Sequence, residues 1–293
     1  MDIRAIGDVL TYVEPVACAA ALLVMYRREQ LRDFRYLGAF LFTRILGIAI
    51  GLPVLYSSGR SLTPQMAYKL YFYIYWSTYA IEAILGFGLI YSIYNLAMAP
   101  LKGLQALGIL MFRWAAGIAI AVAGAMAFGP HVTSLRFIMR AVTQLQQTQS
   151  VLTLCMLLFV CLAIRPMGLS YRSKIFGVSL GLGILATAEL VGSAWLANKA
   201  SLVSVYDVLN GTSILAALAV WTSYFALPEP RRRMIILPTT SPFLRWNQIS
   251  IALGDDPGFV AIGDVHPDMF APAEVEIMRR ASLKMGSPAA VSA

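Results

Sequence analysis

Seven long apolar runs, separated by short polar connections, constrain the fold of this 293-residue chain more than any other feature of its sequence. The runs cover residues 8–26, 36–56, 67–98, 104–128, 135–164, 175–197 and 203–227. About 20 apolar residues in an α-helix are enough to cross the hydrocarbon core of a bilayer, which is ~30 Å thick. The sequence therefore predicts an all-α integral membrane protein, with a seven-transmembrane-helix bundle over residues 1–229.

The overall composition favours the same class. Hydrophobic residues make up 59% of the chain and charged residues 13%, whereas soluble proteins average about 45–50% and about 25%. The formal net charge is +8, but the basic residues lie mainly at the ends of the apolar runs and form no basic face of a soluble domain. We therefore expect the lipid bilayer as a partner and no nucleic acid.

Lysine and arginine are distributed unequally between the two sets of connections. The set that includes the first connection and everything after the seventh run carries 15, and the opposite set carries 6. Because basic residues accumulate on the cytoplasmic side, this bias predicts the N-terminus outside and the C-terminus inside. Arginine outnumbers lysine 18 to 5, as is typical of GC-rich bacterial genomes. The expected location is thus the plasma membrane, specifically a bacterial inner membrane.

Residues 230–293 differ from the rest in being rich in proline, aspartate and arginine. We predict a short amphipathic helix at Phe243–Leu253, a short strand at Gly258–Ile262 and a helix at Pro272–Lys284. The last has acidic residues in its first turn and basic residues in its last, as the helix dipole favours. The segment is too short for a catalytic domain. We expect a cytoplasmic tail that docks on the inner face of the bundle or binds a cytoplasmic protein partner.

Ionisable residues within the apolar runs are informative, because charge inside a bilayer is costly and usually faces the bundle interior. With ~1.5 Å of rise per residue from the inner end of each run, Glu14, Glu82 and Glu189 lie at about 20–24 Å, in the outer half of the bilayer core. Arg44 and Arg113 lie at about 14–16 Å, near the midplane. We predict that the carboxylates are the acids of one outward-facing polar cavity and that the arginines are their counter-charges.

Hydrogen-bonding side chains at the same level are predicted to form the cavity walls. The fifth run contains glutamines at positions 144, 146, 147 and 149, and amides inside a bilayer need partners. In the third run, tyrosines 68, 71, 75 and 79 share a helical face with the acid. The predicted ligand-binding residues are Glu14, Arg44, Tyr75, Tyr79, Glu82, Arg113, Gln144, Gln147 and Glu189. Alternatively, the charges and amides only join helices, and the tyrosines form an interfacial aromatic belt.

Small residues predict where helices pack closely. The pairs Gly47-x-x-x-Gly51 and Gly177-x-x-x-Gly181 have the spacing that lets two membrane helices approach each other. All three cysteines of the chain lie in apolar runs and are predicted to be small buried hydrophobic residues. They are Cys18, Cys155 and Cys161.

Several enzyme and cofactor classes are disfavoured by what the sequence lacks. The only histidines are His131 and His266, both outside the runs, so haem held by paired histidines and a zinc H-E-x-x-H site are excluded. No lysine in the seventh run offers a retinal Schiff base, and no run carries a deep aspartate pair. We predict no catalytic residue, metal site or cofactor, although acids and arginines alone can still bind lipid phosphate.

Three functions are compatible with the predicted bundle, cavity and tail. The first is a sensor or receptor-like bundle that binds a small molecule on its outer side and signals through the tail. It resembles, in architecture only, the seven-helix membrane regions of bacterial signalling proteins. The second is a small-solute or proton-coupled transporter or channel. Helices broken at the midplane are typical of such proteins, whereas here only Pro15 and Pro53 interrupt the runs, both towards the outer side. The third is a non-catalytic subunit of a larger membrane complex.

Overall fold

The computed structural model describes residues 3–57, 63–99, 102–127, 134–163, 169–198 and 203–228, together with 236–237, 245, 248–249 and 261–262. Seven helices form in this part of the chain: α1 Ile3–Arg27, α2 Arg35–Tyr56, α3 Pro64–Met98, α4 Lys102–Ala127, α5 Ser134–Ala163, α6 Lys174–Asn198 and α7 Val203–Ala226. Each coincides with one predicted apolar run. The ends agree within three residues, except that α1 begins five residues earlier than predicted.

Six of the helices are long and apolar enough to cross a membrane. The exception is α4, whose described apolar stretch, Gly108–Val122, is shorter. At 35 residues, α3 is the longest helix, about 52 Å at 1.5 Å per residue, so it must tilt or project beyond a ~30 Å core. The described residues are almost entirely helical, and their long apolar helices are compatible with a multi-pass membrane protein.

The helix ends follow local sequence. Pro64 occupies the first turn of α3, where its missing N–H is not needed. After α1, Glu29 adopts a left-handed backbone conformation with φ 56°, and the N–H of Gln30 donates to the carbonyl of Met25 at 3.0 Å. This arrangement caps the last carbonyls of α1 and turns the chain into α2.

Six helices form a closed ring in the order α1, α2, α3, α5, α6, α7, with α7 packing back on α1. Across this ring α3 also contacts α6. The remaining helix, α4, packs on α3 and α5, and a wide strip of its surface is exposed. It therefore lies outside the ring, over the seam between α3 and α5.

An apolar core fills the half of the ring nearest the α1–α2 turn. Phe34 meets Phe225 edge to face at 5.3 Å between ring centroids, and Phe40 meets Trp221 at 6.3 Å. The guanidinium of Arg28 donates to the carbonyl of Ala226 at 2.9 Å, so a cation caps the C-terminus of α7. This half of the bundle is closed by packing and by a charged cap.

Glycines allow the closest helix contacts, as the two spaced pairs predicted. On α6, Gly177 lies against Tyr224 and Gly181 against Trp221, both on α7. The indole N–H of Trp221 donates to the carbonyl of Val178 at 3.2 Å. The other pair, at positions 47 and 51 of α2, packs against residues 78 and 71 of α3. The rings of α7 thus fit into notches that only glycine leaves open.

Two cysteines differ from expectation. Cys18 is buried, but Cys155 and Cys161 are exposed on the surface of α5. Their prediction as buried residues was wrong because an apolar position on a membrane helix faces lipid as readily as protein, and hydropathy does not separate the two environments.

Little of the tail is described. Strand β1, Ile236–Leu237, pairs in parallel with strand β2, Ala261–Ile262, with Ile236 opposite Ala261. Strand β2 lies within the predicted strand Gly258–Ile262. Of the predicted helix Phe243–Leu253, only residues 245, 248 and 249 are described, and all three are helical. The predicted helix Pro272–Lys284 lies outside the described residues.

Candidate functional site

Arg44 on α2 lies between two carboxylates from neighbouring helices. Its Nε donates to Glu14 Oε1 on α1, and its Nη1 is 3.8 Å from Glu82 Oε2 on α3. The side chains of Arg44, Glu14 and Glu82 are 18%, 15% and 9% exposed. One largely buried cation therefore joins three helices and interacts with two anions.

Glu189 on α6 forms a second centre with different chemistry. Its Oε1 accepts the hydroxyl hydrogen of Tyr79 on α3. Its Oε2 accepts from Ser150 Oγ at 2.5 Å and from Gln146 Nε2 at 3.2 Å, both on α5. Among the described residues, every hydrogen-bond donor to this carboxylate is neutral. Three helices thus meet at one carboxylate, and its donors in the described part of the chain are hydroxyl and amide groups.

The buried polar face of α5 follows a helical repeat. Gln146, Gln149, Ser150 and Thr153 are at most 9% exposed and lie at spacings of three or four residues. Gln149 packs over Gly86 of α3, and its Nε2 donates to Thr153 Oγ1 at 3.0 Å. This face turns the amides and hydroxyls of α5 towards α3 and α6.

The two centres lie in one region. Tyr79 and Glu82 lie three residues apart on one side of α3, where Tyr79 contacts Glu189 and Glu82 lies 3.8 Å from Arg44. We call this region the interior polar cluster. It comprises Glu14, Arg44, Tyr79, Glu82, Gln146, Ser150 and Glu189.

Aromatic rings of α3 border the cluster. Tyr75 stacks between Tyr71 and Tyr79, with centroid distances of 6.3 and 5.9 Å. Trp76 meets Tyr79 edge to face at 6.0 Å. The ring of Tyr75 is half exposed. The rings form a continuous aromatic strip that reaches Glu189 through the Tyr79 hydroxyl.

One polar atom in the cluster has no partner in the part of the chain that the structure describes. This atom is the Oε1 of Gln146, whose side chain is buried. Exchanging the positions of the amide oxygen and nitrogen would not give this oxygen a donor, because the oxygen would then face the Glu189 carboxylate. Buried acceptors in proteins nearly always have a donor, so this oxygen marks a place for one.

Three of the nine predicted residues lie away from the cluster. Gln144 and Gln147 are half-buried, but they lie on other faces of α5 than Gln146. Arg113 is exposed on α4 and lines an open groove of about 450 Å³ beside Trp114. The other six, Glu14, Arg44, Tyr75, Tyr79, Glu82 and Glu189, are brought together at the cluster or along its border.

Gln146 and Ser150 are absent from the nine predicted ligand-binding residues, although both contact Glu189 and Gln146 belongs to the glutamine run predicted as cavity wall. The available signal was the spacing 146, 149, 150, 153, which places four polar residues on one helical face. It was obscured because Gln144, Gln147 and Thr148 make the same stretch polar on its other faces too.

The chemistry of the cluster is that of an anionic, hydrogen-bonding site. The cluster contains three carboxylates and one guanidinium, which contacts Glu14 and Glu82, so its side chains carry an excess of negative charge when all three acids are ionised. No group of three or more His, Cys, Asp or Glu side chains suited to holding a metal ion occurs in the described ranges. The arrangement favours a proton or a small cation over an anion.

No protein-family model, curated protein or solved structure matches the chain.

Proposed function

We propose that this protein is a receptor-like membrane sensor, in which a small ligand binds at the interior polar cluster and a cytoplasmic partner reads the change at residues 230–293. The observation that carries the proposal is the environment of Glu189. Its carboxylate joins α3, α5 and α6 through three neutral donors, Tyr79, Gln146 and Ser150. A ligand that neutralises this charge weakens all three contacts at once, since hydrogen bonds to an ionised group are about twice as strong as neutral ones.

The packing of α6 offers a route to the tail. Glu189 lies towards one end of α6, and the other half of the helix holds Trp221 and Tyr224 of α7 in its glycine notches. Helix α7 ends at Ala226, directly before the tail. A helix moves as a rigid element, so a shift of α6 at Glu189 changes how α7 and the tail are held.

We further propose seven spans, with the N-terminus outside and the C-terminus inside a bacterial inner membrane. The excess of lysine and arginine on one set of connections supports this orientation. With 26 residues, α4 is about 39 Å long, enough to cross the core. A fluorescent protein fused to the C-terminus is expected to fluoresce, and alkaline phosphatase fused at the same point is expected to be inactive. The opposite pair of results would contradict this topology.

The sensing role is tested by a reporter on the tail. A fluorophore is attached to a cysteine introduced at Ser287, after Cys18, Cys155 and Cys161 have been replaced by alanine. The purified chain in proteoliposomes is then titrated with amines, amino acids, sugars and organic acids. We expect one class of compound to change the emission saturably, and Glu189→Gln to abolish the response. Asp207→Asn, which neutralises an exposed acid on α7, serves as the matched control and is expected to respond normally.

Two results would contradict a sensor. Uptake of a responding compound into the vesicles, dependent on the protein and abolished by Glu189→Gln, would identify a transporter. A tail that responds to none of the compounds, in wild type or control, would leave the cluster without a signalling role.

A subunit role has its own supporting observation, which is the exposed surface of α4. Arg113 projects from this surface within an apolar helix, next to Trp114, which is 68% exposed. An arginine inside a membrane normally has a partner. If the chain is a subunit of a larger complex, a protein that co-purifies in mild detergent should be lost on Arg113→Gln and kept on Glu189→Gln.

A further inference from the structure

The charge balance of the interior polar cluster calls for a cation. Arg44 is shared by Glu14 and Glu82, and the hydrogen-bond partners of Glu189 in the described ranges are Tyr79, Gln146 and Ser150, all neutral. An ionised carboxylate inside a membrane bundle is stabilised far better by an opposite charge than by dipoles alone. A ligand with a positive charge therefore has an electrostatic reason to bind beside Glu189.

Gln146 indicates what else this ligand must carry. The side chain is nine-tenths buried, with 9% of its surface exposed. Its Nε2 donates to Glu189 Oε2 at 3.2 Å, while its Oε1 has no hydrogen-bond partner among the described residues. The free oxygen belongs to the same amide as the nitrogen that contacts the carboxylate. A cation that also donates N–H hydrogens satisfies both acceptors at one place.

The aromatic strip favours the binding of an organic cation over that of a hydrated inorganic cation. Tyr75 and Tyr79 are stacked at 5.9 Å with an interplanar angle of 21°, and Trp76 lies at 6.0 Å from Tyr79. Ring faces attract ammonium groups through the negative charge above the ring, and they also bury the apolar carbons attached to the nitrogen. Such a surface suits an alkyl ammonium better than sodium with its water shell.

We infer that the ligand of the cluster is a small primary amine in its protonated form. Glu189 is its counter-ion, the Oε1 of Gln146 accepts one of its N–H hydrogens, and the rings of Tyr75 and Tyr79 contact its alkyl part. This inference rests on the proposed function, in which the cluster is the ligand site. It adds the chemical class of the ligand and the residues that select it.

The test uses the 293-residue chain in detergent, with binding followed by isothermal titration and by thermal unfolding. The probes are n-butylammonium chloride, tetramethylammonium chloride, which has no N–H donor, and sodium chloride at matched concentrations. We expect saturable binding of n-butylammonium, at least tenfold weaker binding of tetramethylammonium, and no saturable effect of sodium. Equal effects of the three salts would overturn the inference.

Variants test the assigned contacts. Gln146→Leu is expected to weaken n-butylammonium binding at least tenfold, and the exposed Gln65→Leu on α3 is the matched control, with unchanged binding. Tyr75→Leu is expected to weaken it about three- to tenfold by removing one ring face. Unchanged binding in Gln146→Leu would overturn the inference. If Gln146→Leu does not elute as a folded species, the inference is tested by Tyr75→Leu and by comparing the two ammonium salts on the wild-type chain.

The binding measurements and the tail reporter together distinguish this inference from the proposed function. A neutral or anionic compound that triggers a Glu189-dependent tail response, while n-butylammonium does not bind, would overturn the amine ligand and leave the sensor standing. Binding of n-butylammonium at Gln146 and Glu189 without any tail response would support the amine ligand and contradict the sensor.

Discussion

Tyr79 on α3 donates its hydroxyl hydrogen to Glu189 on α6, a contact between residues 110 positions apart in the sequence. The two helices are not neighbours in the ring and meet across its interior. The second oxygen of the same carboxylate holds Ser150 and Gln146 of α5. Because one carboxylate is the acceptor for donors on two other helices, a change at this side chain affects the packing of all three.

Neutralising this carboxylate is expected to destabilise the bundle. Glu189→Gln should lower the free energy of unfolding by about 2 kcal/mol, because hydrogen bonds to a charged acceptor become neutral ones and the new amide group faces donors. Reversible unfolding in mixed micelles of detergent and sodium dodecyl sulfate measures the change. The exposed Asp207→Asn should stay within about 0.5 kcal/mol of wild type. If Glu189→Gln loses no more unfolding free energy than this control, the hydrogen bonds to residue 189 do not depend on a charge there.

Removing the shared cation should cost more. Arg44→Gln leaves Glu14 and Glu82 as buried acids without their guanidinium, and breaking a buried ion pair from one side costs about 3–5 kcal/mol. The double variant Glu14→Gln/Arg44→Gln removes one of the stranded charges. It is expected to be more stable than Arg44→Gln alone, as measured in the same unfolding assay.

Arg113→Gln is the matched control for Arg44, since it removes an arginine of similar depth that is exposed on α4. We expect no loss of unfolding free energy in detergent. A destabilisation equal to that of Arg44→Gln would argue that both arginines are counter-charges of the same acids.

The fit between α6 and α7 is expected to tolerate no added methyl group. A Cβ at position 181 would overlap the indole of Trp221, which is 1% exposed and hydrogen-bonded to Val178. Gly181→Ala should therefore lower the unfolding free energy by about 1–3 kcal/mol through overpacking. Gly117→Ala is the control, since nothing lies within 4 Å of its Cβ position on α4. There the higher helix propensity of alanine should raise stability by up to about 1 kcal/mol, and equal losses at both sites would contradict the packing argument.

We expect Arg113 to weaken the membrane insertion of α4. Arginine near the centre of a span opposes insertion by about 3 kcal/mol, whereas leucine slightly favours it. Arg113→Leu is thus expected to make the apparent insertion free energy of α4 more favourable by about 3 kcal/mol. The measurement is the fraction of a reporter that carries α4 across microsomal membranes, read from glycosylation on its two sides. An unchanged fraction would mean that residue 113 does not reach the bilayer core.

Much of the fold was predictable from the sequence because its strongest signal is local. A run of twenty apolar residues has to form a helix in lipid, since every backbone N–H and C=O must be satisfied within it. The seven helices accordingly match the seven runs, from α1 to α7. The glycine spacing at positions 177 and 181 also identified a close contact, because only a missing side chain lets two helices approach so closely.

The composition of the site depended on the direction in which each helix faces, and this is a tertiary property. Gln144, Gln146 and Gln147 lie in one polar stretch, and only packing turned Gln146 towards Glu189. From the sequence, Arg44 and Arg113 were equally good candidates for counter-charges. Arg44 is on α2, which belongs to the ring, whereas Arg113 is on α4, which lies outside it. The sequence by itself determined which segments are helical and which polar side chains they carry. Only the tertiary structure decided which of those side chains meet, because neighbours and rotation are set by packing between helices.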